Sequence, residues 1–451
     1  MIFSAARLLE SVQHQLPAQA SGDLCVAFSG GLDSTVLLYA LVCALRERGG
    51  FRLRAAHVDH QLHERSAEWE RHCATTAAQL GVEYVSHRVT VPADGAEGIE
   101  SAARTARYAA LHEVLRPGET LLTAHHADDQ METLLLALTR GAGLNGLAAM
   151  PVCQPFGRGW HLRPLLEFSR AELESWAQAE ALAWIADPSN DSRDFNRNFL
   201  RHEVIPALRS RWPAFARTAG RTAGHIAEGA ALLDELARID LVTAAAGPCL
   251  RVDALRSLSA ARRRNLLRFW VRSHDARAPS TRKLLALEHD MLAAQDDRLP
   301  VVDWDGFEVR RYRGLLYASV ASRPESPTAA SDWDWTQPLR LPGDLGSLRT
   351  ESVPDGGLAR DRLPQRVTVD FRHGGEALRP AGQEHHRKLK KLLQDADILP
   401  WWRNRLPLIR IGDALAAVGD LWIAEEFAAK RGEAGTNIVW DERPQIKAFG
   451  Q

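Results

Sequence analysis

The stretch Cys25-Val26-Ala27-Phe28-Ser29-Gly30-Gly31-Leu32-Asp33-Ser34-Thr35 decides how this chain is read. A short apolar run meets two glycines and then a helical pattern, which spells strand, tight turn and helix start. Such a turn aims several backbone N–H groups and a helix N-terminus at one point, an arrangement suited to phosphate. Gly30 and Gly31 permit close backbone approach and positive φ, which a Cβ resists. Ser29, Ser34 and Thr35 add hydroxyl donors, and Asp33 adds a carboxylate able to hold Mg²⁺ against phosphate oxygens. The Walker lysine is missing, so this is not the GxxxxGK[ST] device.

Working outward, strand-like and helix-like segments alternate over the first ~200 residues. Residues 24–28 read as a strand followed by a helix over 35–48, and 53–58 by a helix over 66–80. Residues 82–91 form the next extended run before a helix over 98–115, and 120–124 lead into a helix over 128–140. This alternation predicts an α/β fold with a doubly wound, mostly parallel sheet over residues 1–213. Its ligands bind beyond the strand C-termini, where Ser29, His57 and His125 fall. Residues 214–321 are Ala-, Leu- and Arg-rich with helical spacing and read as a helical middle domain, ending in two strands around Asp305-Gly306. A Pro/Ser/Asp-rich stretch, 322–338, reads as a linker, and 339–451 as a small α+β C-terminal domain with one basic helix.

The chain has 451 residues, 45% hydrophobic and 25% charged, the balance of a soluble globular protein. Neither the N-terminal pattern of a secretory signal nor an apolar run of membrane length is present. The five cysteines form no CxxC pair, which argues against a disulfide framework, zinc site or iron–sulfur cluster and for a reducing cytoplasm. A net charge of −1 says little about nucleic acid, whereas charge placement says more. Arg256, Arg262, Arg263, Arg264, Arg268 and Arg272 follow one another with no acid between, and Arg387, Lys388, Lys390 and Lys391 crowd a second run. Either run suits backbone phosphates; either is equally an ordinary solvated helix face.

In Thr123-Ala124-His125-His126-Ala127-Asp128-Asp129-Gln130-Met131-Glu132-Thr133 a strand ends and a helix begins. Asp128 and Glu132 share one helix face, Asp129 and Thr133 another. First-turn acids are also plain electrostatic caps, an even alternative for Asp128. His57-Val58-Asp59-His60 reads as a satisfied polar strand end more readily than as a metal site. Arg104 and Arg107, three apart on a helix, face polyphosphate or water. Arg197 and Arg201, four apart, suit a bidentate clamp on phosphate or carboxylate.

Taken together these segments resemble the tRNA(Ile)-lysidine synthase family. The SGGxDS loop is similar to that of the N-type ATP pyrophosphatases (adenine nucleotide alpha hydrolase-like), which split ATP to AMP and pyrophosphate. The likeness continues through HVDHQL, ESAARTARY, TAHHADDQMETLLLALTRGAG and WIADPSNDSRDFNRNFLR, then at Arg372–Gly375, His386–Gln394 and Pro400–Arg403. Gln383 departs from it, standing where the family commonly has Arg. The resemblance implies an ATP-dependent carbon–nitrogen ligase. The C2 oxygen of a wobble cytidine attacks the ATP α-phosphate and pyrophosphate leaves; the lysine ε-amine then attacks C2 and displaces AMP. It implies ATP and Mg²⁺, a tRNA(Ile) with a CAU anticodon and L-lysine as partners, with a homodimer as one candidate assembly. By resemblance, ATP binds at Ser29, Gly30, Gly31, Leu32, Asp33 and Ser34, with Asp33 as Mg²⁺ ligand. Asp129, with Glu132 in reserve, meets the lysine, and Arg107 and Arg197 meet phosphate. Arg262, Arg263, Arg264, Arg387, Lys388, Lys390 and Lys391 meet tRNA.

Three rivals share parts of this pattern. A tRNA thiolase of the same superfamily generally needs catalytic or cluster-binding cysteines, whose spacing is absent here. An amidotransferase-type synthetase needs an ammonia source, yet Ile2 stands where a nucleophilic cysteine would. A non-catalytic binding protein retaining the loop would not need intact Asp33, Asp129 and Arg197.

Overall fold

The computed structural model describes residues 2–20, 22–91, 99–186, 196–294, 298–321 and 330–449. The DPSNDSRDF stretch (187–195) and the front of the expected linker (322–329) lie outside them. The chain divides into two compact units, Met1–Leu233 and Asp234–Gln451.

The first unit is built on a six-stranded sheet. In chain order its elements are α1 (Ala5–Gln15), β1 (Asp23–Ala27), α2 (Leu32–Arg48), β2 (Arg52–Asp59), α3 (Ser66–Leu80), β3 (Glu83–Arg88), α4 (Ile99–Val114), β4 (Thr120–Leu122) and α5 (Ala127–Thr139). There follow α6 (Leu144–Leu147), β5 (Cys153–Phe156), β6 (Gly159–Leu162), α7 (Arg170–Ala179), α8 (Asn196–Phe199), a π-helical turn at Leu200–Val204, α9 (Ile205–Arg211) and α10 (Phe215–Ala244), whose residues from Asp234 onward belong to the second unit. The strand order is β3-β2-β1-β4-β6-β5, parallel except for β5, which pairs antiparallel with β6 at the edge.

Successive side chains of a strand point to opposite faces, and the core shows it. Leu24 and Val26 of β1, Ala55 of β2 and Leu122 of β4 pack with Val36, Leu37 and Leu41 of α2 and with Leu8, Cys73 and Leu173. Their neighbours Cys25, Ala56 and Leu121 pack on the other face with Leu111 and Leu115. Burial in that core pushes the Cys25 thiol up to about 12, with Arg54 opposing, so it stays a neutral packing group. The strand order reverses between β1 and β4, which opens a crevice beyond their C-terminal ends.

In the second unit the helical reading of 214–300 holds for α11 (Val252–Ser257), α12 (Ala260–Arg272) and α13 (Thr281–Ala286). These helices pack on a five-stranded sheet that the helical spacing did not suggest. Two of its strands, Ala245–Ala246 and Cys249–Arg251, precede the helices. Where two strands were expected around Asp305-Gly306 there are three, Val301–Trp304, Phe307–Tyr312 and Leu315–Val320, because Arg313-Gly314 turns the chain a second time. Both turns place a non-glycine residue then a glycine at positive φ, Asp305 and Gly306 in one and Arg313 and Gly314 in the other. The remainder forms a five-stranded, a four-stranded and a two-stranded antiparallel sheet, the last pairing Ala377–Leu378 with Arg387–Lys388, and a short α-helix, Leu389–Asp395. Leu389, Leu392 and Leu393 turn inward and leave Lys390 and Lys391 exposed.

Candidate active site

The loop after β1 is fixed by hydrogen bonds to its own backbone. Gly30 sits at φ +80, and a Cβ there would fall 2.7 Å from Ile185 Cδ1 and 2.9 Å from Cys73 Sγ. Glycine is therefore required twice over, by conformation and by space. The Gly30 carbonyl accepts from Ile185 N at 2.8 Å and from the Thr35 hydroxyl at 3.3 Å. The Ser34 hydroxyl donates to the Gly31 carbonyl at 3.1 Å, and His57 Nδ1 donates to the Phe28 carbonyl at 2.9 Å. Ser34 and Thr35 are buried and brace the turn. Ser29, 3.0 Å from Ser34 Oγ, is exposed, while Gly31 caps α2 and the Leu32 side chain enters the core. Ser34 and Thr35, expected as hydroxyl donors to phosphate, thus donate to the loop's own carbonyls, and Ser29 is the exposed hydroxyl of the three.

Asp33 projects from the first turn of α2 toward His126, the N-cap of α5, at 3.7 Å. Burial raises its pKa, with the His126 and Arg170 charges opposing, and its Oδ1 is buried with no hydrogen-bond partner among the described residues. An orphaned, buried carboxylate oxygen at the mouth of a phosphate-type loop fits a hard cation.

Asp129 and Glu132 are already engaged within the protein. Asp129 Oδ2 accepts from His126 N at 3.0 Å, capping α5, and its Oδ1 lies 3.3 and 3.4 Å from Arg197 and Arg201 Nη2. Glu132, fully buried, takes the Nε of Arg197 on one oxygen and the Nε of Arg201 on the other, each at 2.7 Å. The i,i+4 arginine pair does clamp a carboxylate, across α8 and the π-helical turn. Burial works to raise the Asp129 pKa, but His126, Arg197 and His125 outweigh it and hold the group at about 2. Asp128 serves the scaffold instead. Its carboxylate pairs with Arg209, and Oδ2 accepts from Arg170 N at 2.8 Å, bracing the start of α7.

Arg107, on α4, is the contrasting case. Its guanidinium stacks over the Tyr108 ring at 5.4 Å, and Arg104 approaches the same ring at 5.1 Å. Arg107 Nε is buried with no hydrogen-bond partner among the described residues, and burial lowers its pKa. Among the described residues no carboxylate pairs with Arg104, Arg107 or the buried Arg163. Their charges act on one another and on His60, His125 and His161, depressing each of those histidines after burial has done so first. A cationic basin whose arginines pair with no carboxylate among the described residues fits a polyanion. His161 and Arg163 went unnoticed in the sequence. The signal was there, however, as a histidine and an arginine alternating with apolar residues in Trp160-His161-Leu162-Arg163.

The basic runs of the second unit separate. Arg262 pairs with Asp240, and Arg263 and Arg264 share Glu288 at 3.0 and 3.1 Å. Arg387 pairs with Asp395. Lys388, Lys390 and Lys391 are exposed and form no ion pair among the described residues.

The loop, the switch point and the two charge clusters define an ATP-binding PP-loop domain, and the PP-loop family model matches residues 4–208. Models of the TilS substrate-binding domain and the TilS substrate C-terminal domain match residues 250–317 and 367–440. The tRNA(Ile)-lysidine synthase of Coxiella burnetii is 40% identical over 97% of this chain and 96% of its own length. That of Alkalilimnicola ehrlichii is 45% identical over 92% of each. That of Methylococcus capsulatus is 41% identical over 92% of this chain and 95% of its own. The chain belongs to the tRNA(Ile)-lysidine synthase family.

Proposed function

We propose that this chain ligates lysine to C2 of the wobble cytidine of a CAU-anticodon tRNA(Ile), using ATP and releasing AMP and pyrophosphate. The C2 oxygen attacks the α-phosphate and pyrophosphate leaves; the lysine ε-amine attacks C2 and AMP leaves. Lysidine pairs with A, so the tRNA reads AUA instead of AUG and carries isoleucine.

One juxtaposition carries the reading. Arg107, a guanidinium without a counter-ion among the described residues, and Asp129, a carboxylate held ionised, act on the same half-buried ring of His125. A phosphate and an ammonium thus have complementary places side by side, and positioning supplies much of the rate. Arg107 receives phosphate. Asp129 receives the lysine ammonium, which shares Oδ1 with Arg197 and Arg201. Those contacts are longer than the 2.7 Å bonds to Glu132, so they yield more easily. The depressed pKa suits Asp129 as counter-ion to the ammonium and makes it a weak base. Glu132 and Arg197 hold Asp129 in place. Ser29, Gly30, Gly31, Leu32, Asp33 and Ser34 shape the pyrophosphate loop. Mg²⁺, held at Asp33, would neutralise charge developing on the phosphate oxygens.

Residues 1–213 form the catalytic domain in this reading, and 214–321 and 339–451 grip tRNA; within the stretch expected as a linker, 322–338, Ser331–Trp333 is instead a strand paired with Val367–Val369, and Trp333 is buried in the core. Lys388, Lys390 and Lys391 meet backbone phosphates. Arg262, Arg263, Arg264 and Arg387 reach tRNA only with the donors their acids leave over. No described helix is long and apolar enough to cross a membrane; the cytoplasm, where tRNA and ATP are found, is the proposed compartment, with a homodimer as a candidate assembly.

The test is incubation with labelled lysine, ATP, Mg²⁺ and the CAU-anticodon tRNA(Ile) transcript. Lysine should enter the tRNA with one AMP released per lysine. Asp33→Ala should abolish AMP release, while Asp129→Ala should still adenylate tRNA without adding lysine. No lysine incorporation by the wild-type enzyme would overturn the reading, and equal loss of both steps in Asp129→Ala would overturn the role given to Asp129.

A further inference from the structure

Four side chains behind the basin form a continuous hydrogen-bonded line. Arg163 Nη2 lies 3.1 Å from His161 Nδ1, His161 Nε2 lies 2.8 Å from Thr123 Oγ1, and Thr123 Oγ1 lies 2.8 Å from His125 Nδ1. Proton counting gives this line a direction. A guanidinium only donates, so His161 Nδ1 accepts. His161 is completely buried, flanked by the rings of Tyr108 and Phe156 and by three arginines, and burial followed by those charges lowers its pKa to about 3. It is therefore neutral, its one proton sits on Nε2, and it donates to Thr123. The Thr123 hydroxyl is then free to donate once. Among the described hydrogen bonds, the acceptor within its reach is His125 Nδ1.

We propose that Arg163, His161 and Thr123 are positioning residues that lock His125 as the Nε2–H tautomer, a neutral hydrogen-bond donor to an anionic substrate oxygen in the basin. Each ring nitrogen's role is set by the bond its partner makes, and here the setting originates at an arginine three groups away. A neutral donor suits this place. The cationic basin opposes a positive charge on the ring, and a fixed N–H stabilises oxygen charge without surrendering a proton. The inference rests on the lysidine-forming reading only for the identity of that oxygen.

The experiment is a long-range ¹H–¹⁵N correlation spectrum of the full chain labelled at histidine, with His125 assigned by its loss in His125→Asn. Wild-type His125 should show a pyrrole-type Nε2 and a pyridine-type Nδ1. Thr123→Val removes the donor and keeps the shape, so His125 should leave that tautomer and kcat for lysidine formation should fall about tenfold, the scale of one hydrogen bond. Thr123→Ser should restore both. A protonated Nδ1 in the wild type overturns the proposal, as does an unchanged tautomer in Thr123→Val or a changed tautomer with unchanged kcat. The spectra need neither tRNA nor lysine, so a failure of the lysidine reading appears separately, as wild-type enzyme that makes no lysidine.

Discussion

Arg197 Nε and Glu132 Oε2 meet at 2.7 Å across 65 residues of chain. Arg201 completes the arrangement from the next turn, so the carboxylate of Glu132 is consumed within the protein. Arg197, expected at phosphate, and Arg201, expected with it in a clamp on phosphate or carboxylate, both lie on the carboxylates of Glu132 and Asp129. The arrangement also ties the segment after residue 195 to α5, whose start forms the site.

Removing Glu132 from this part-buried cluster leaves two arginines with Asp129 as their carboxylate partner among the described residues. Glu132→Gln should lower unfolding stability by about 3 kcal/mol, read from urea midpoints at unchanged slope. It should also reduce lysine addition, through loosened arginines, more than adenylation. A variant as stable as the wild type would show the pair to be dispensable.

Asp129 gives a signed pH dependence. Its folded pKa of about 2 lies below the ordinary value of 3.8, so its contribution is full above pH ~4 and vanishes as pH falls through ~2. Asp129→Asn should therefore flatten the fall in stability between those values, and the wild-type and variant curves should converge at the acid end. Unfolding free energy measured across that range checks it.

Arg107 should behave in the opposite sense. Its guanidinium, with a buried Nε, pairs with no carboxylate among the described residues, so Arg107→Met should raise Tm slightly while cutting AMP formation about a hundredfold. A Tm loss of several degrees would indicate a structural role instead.

Gly30→Ala places a Cβ against Ile185 and Cys73 at a positive φ. Loss of about 2 kcal/mol and of pyrophosphate release should accompany it. Gly49 is also at positive φ, but a Cβ there would meet nothing within 4 Å. Gly49→Ala should therefore show only the conformational part of the loss and keep pyrophosphate release.

The lysines and arginines of the second unit should separate by salt dependence. Changing Lys388, Lys390 and Lys391 together to Ala should reduce the slope of log affinity for tRNA against log salt by about 2 to 3. Changing Arg262 and Arg263 to Ala should mainly lower the stability of the unit, since each is held by Asp240 or Glu288. Equal salt slopes for the two sets would refute the distinction.

Local pattern was enough for the βα alternation of the first 140 residues, because strand and helix periods are written in the apolar positions and Gly30-Gly31 marks the turn between them. It was enough, too, for Ser29, His57 and His125 to be placed at or near the C-terminal ends of β1, β2 and β4. Short-range reading failed where pairing is long-range or the segment short. Strands Ala245–Ala246 and Cys249–Arg251 carry too few residues to show a period, and their partner Leu315–Val320 lies far along the chain. Charge partners are likewise invisible in one dimension. Only the folded chain sets Arg197 on Glu132, leaves Arg107 without a carboxylate among the described residues, and threads Arg163, His161 and Thr123 to one nitrogen of His125. The sequence determined which chemical groups are present and which turn has the form of a phosphate loop, since both follow from neighbouring residues. Which of those groups are neutralised and which remain available was decided by tertiary structure, because charge balance depends on distance in space.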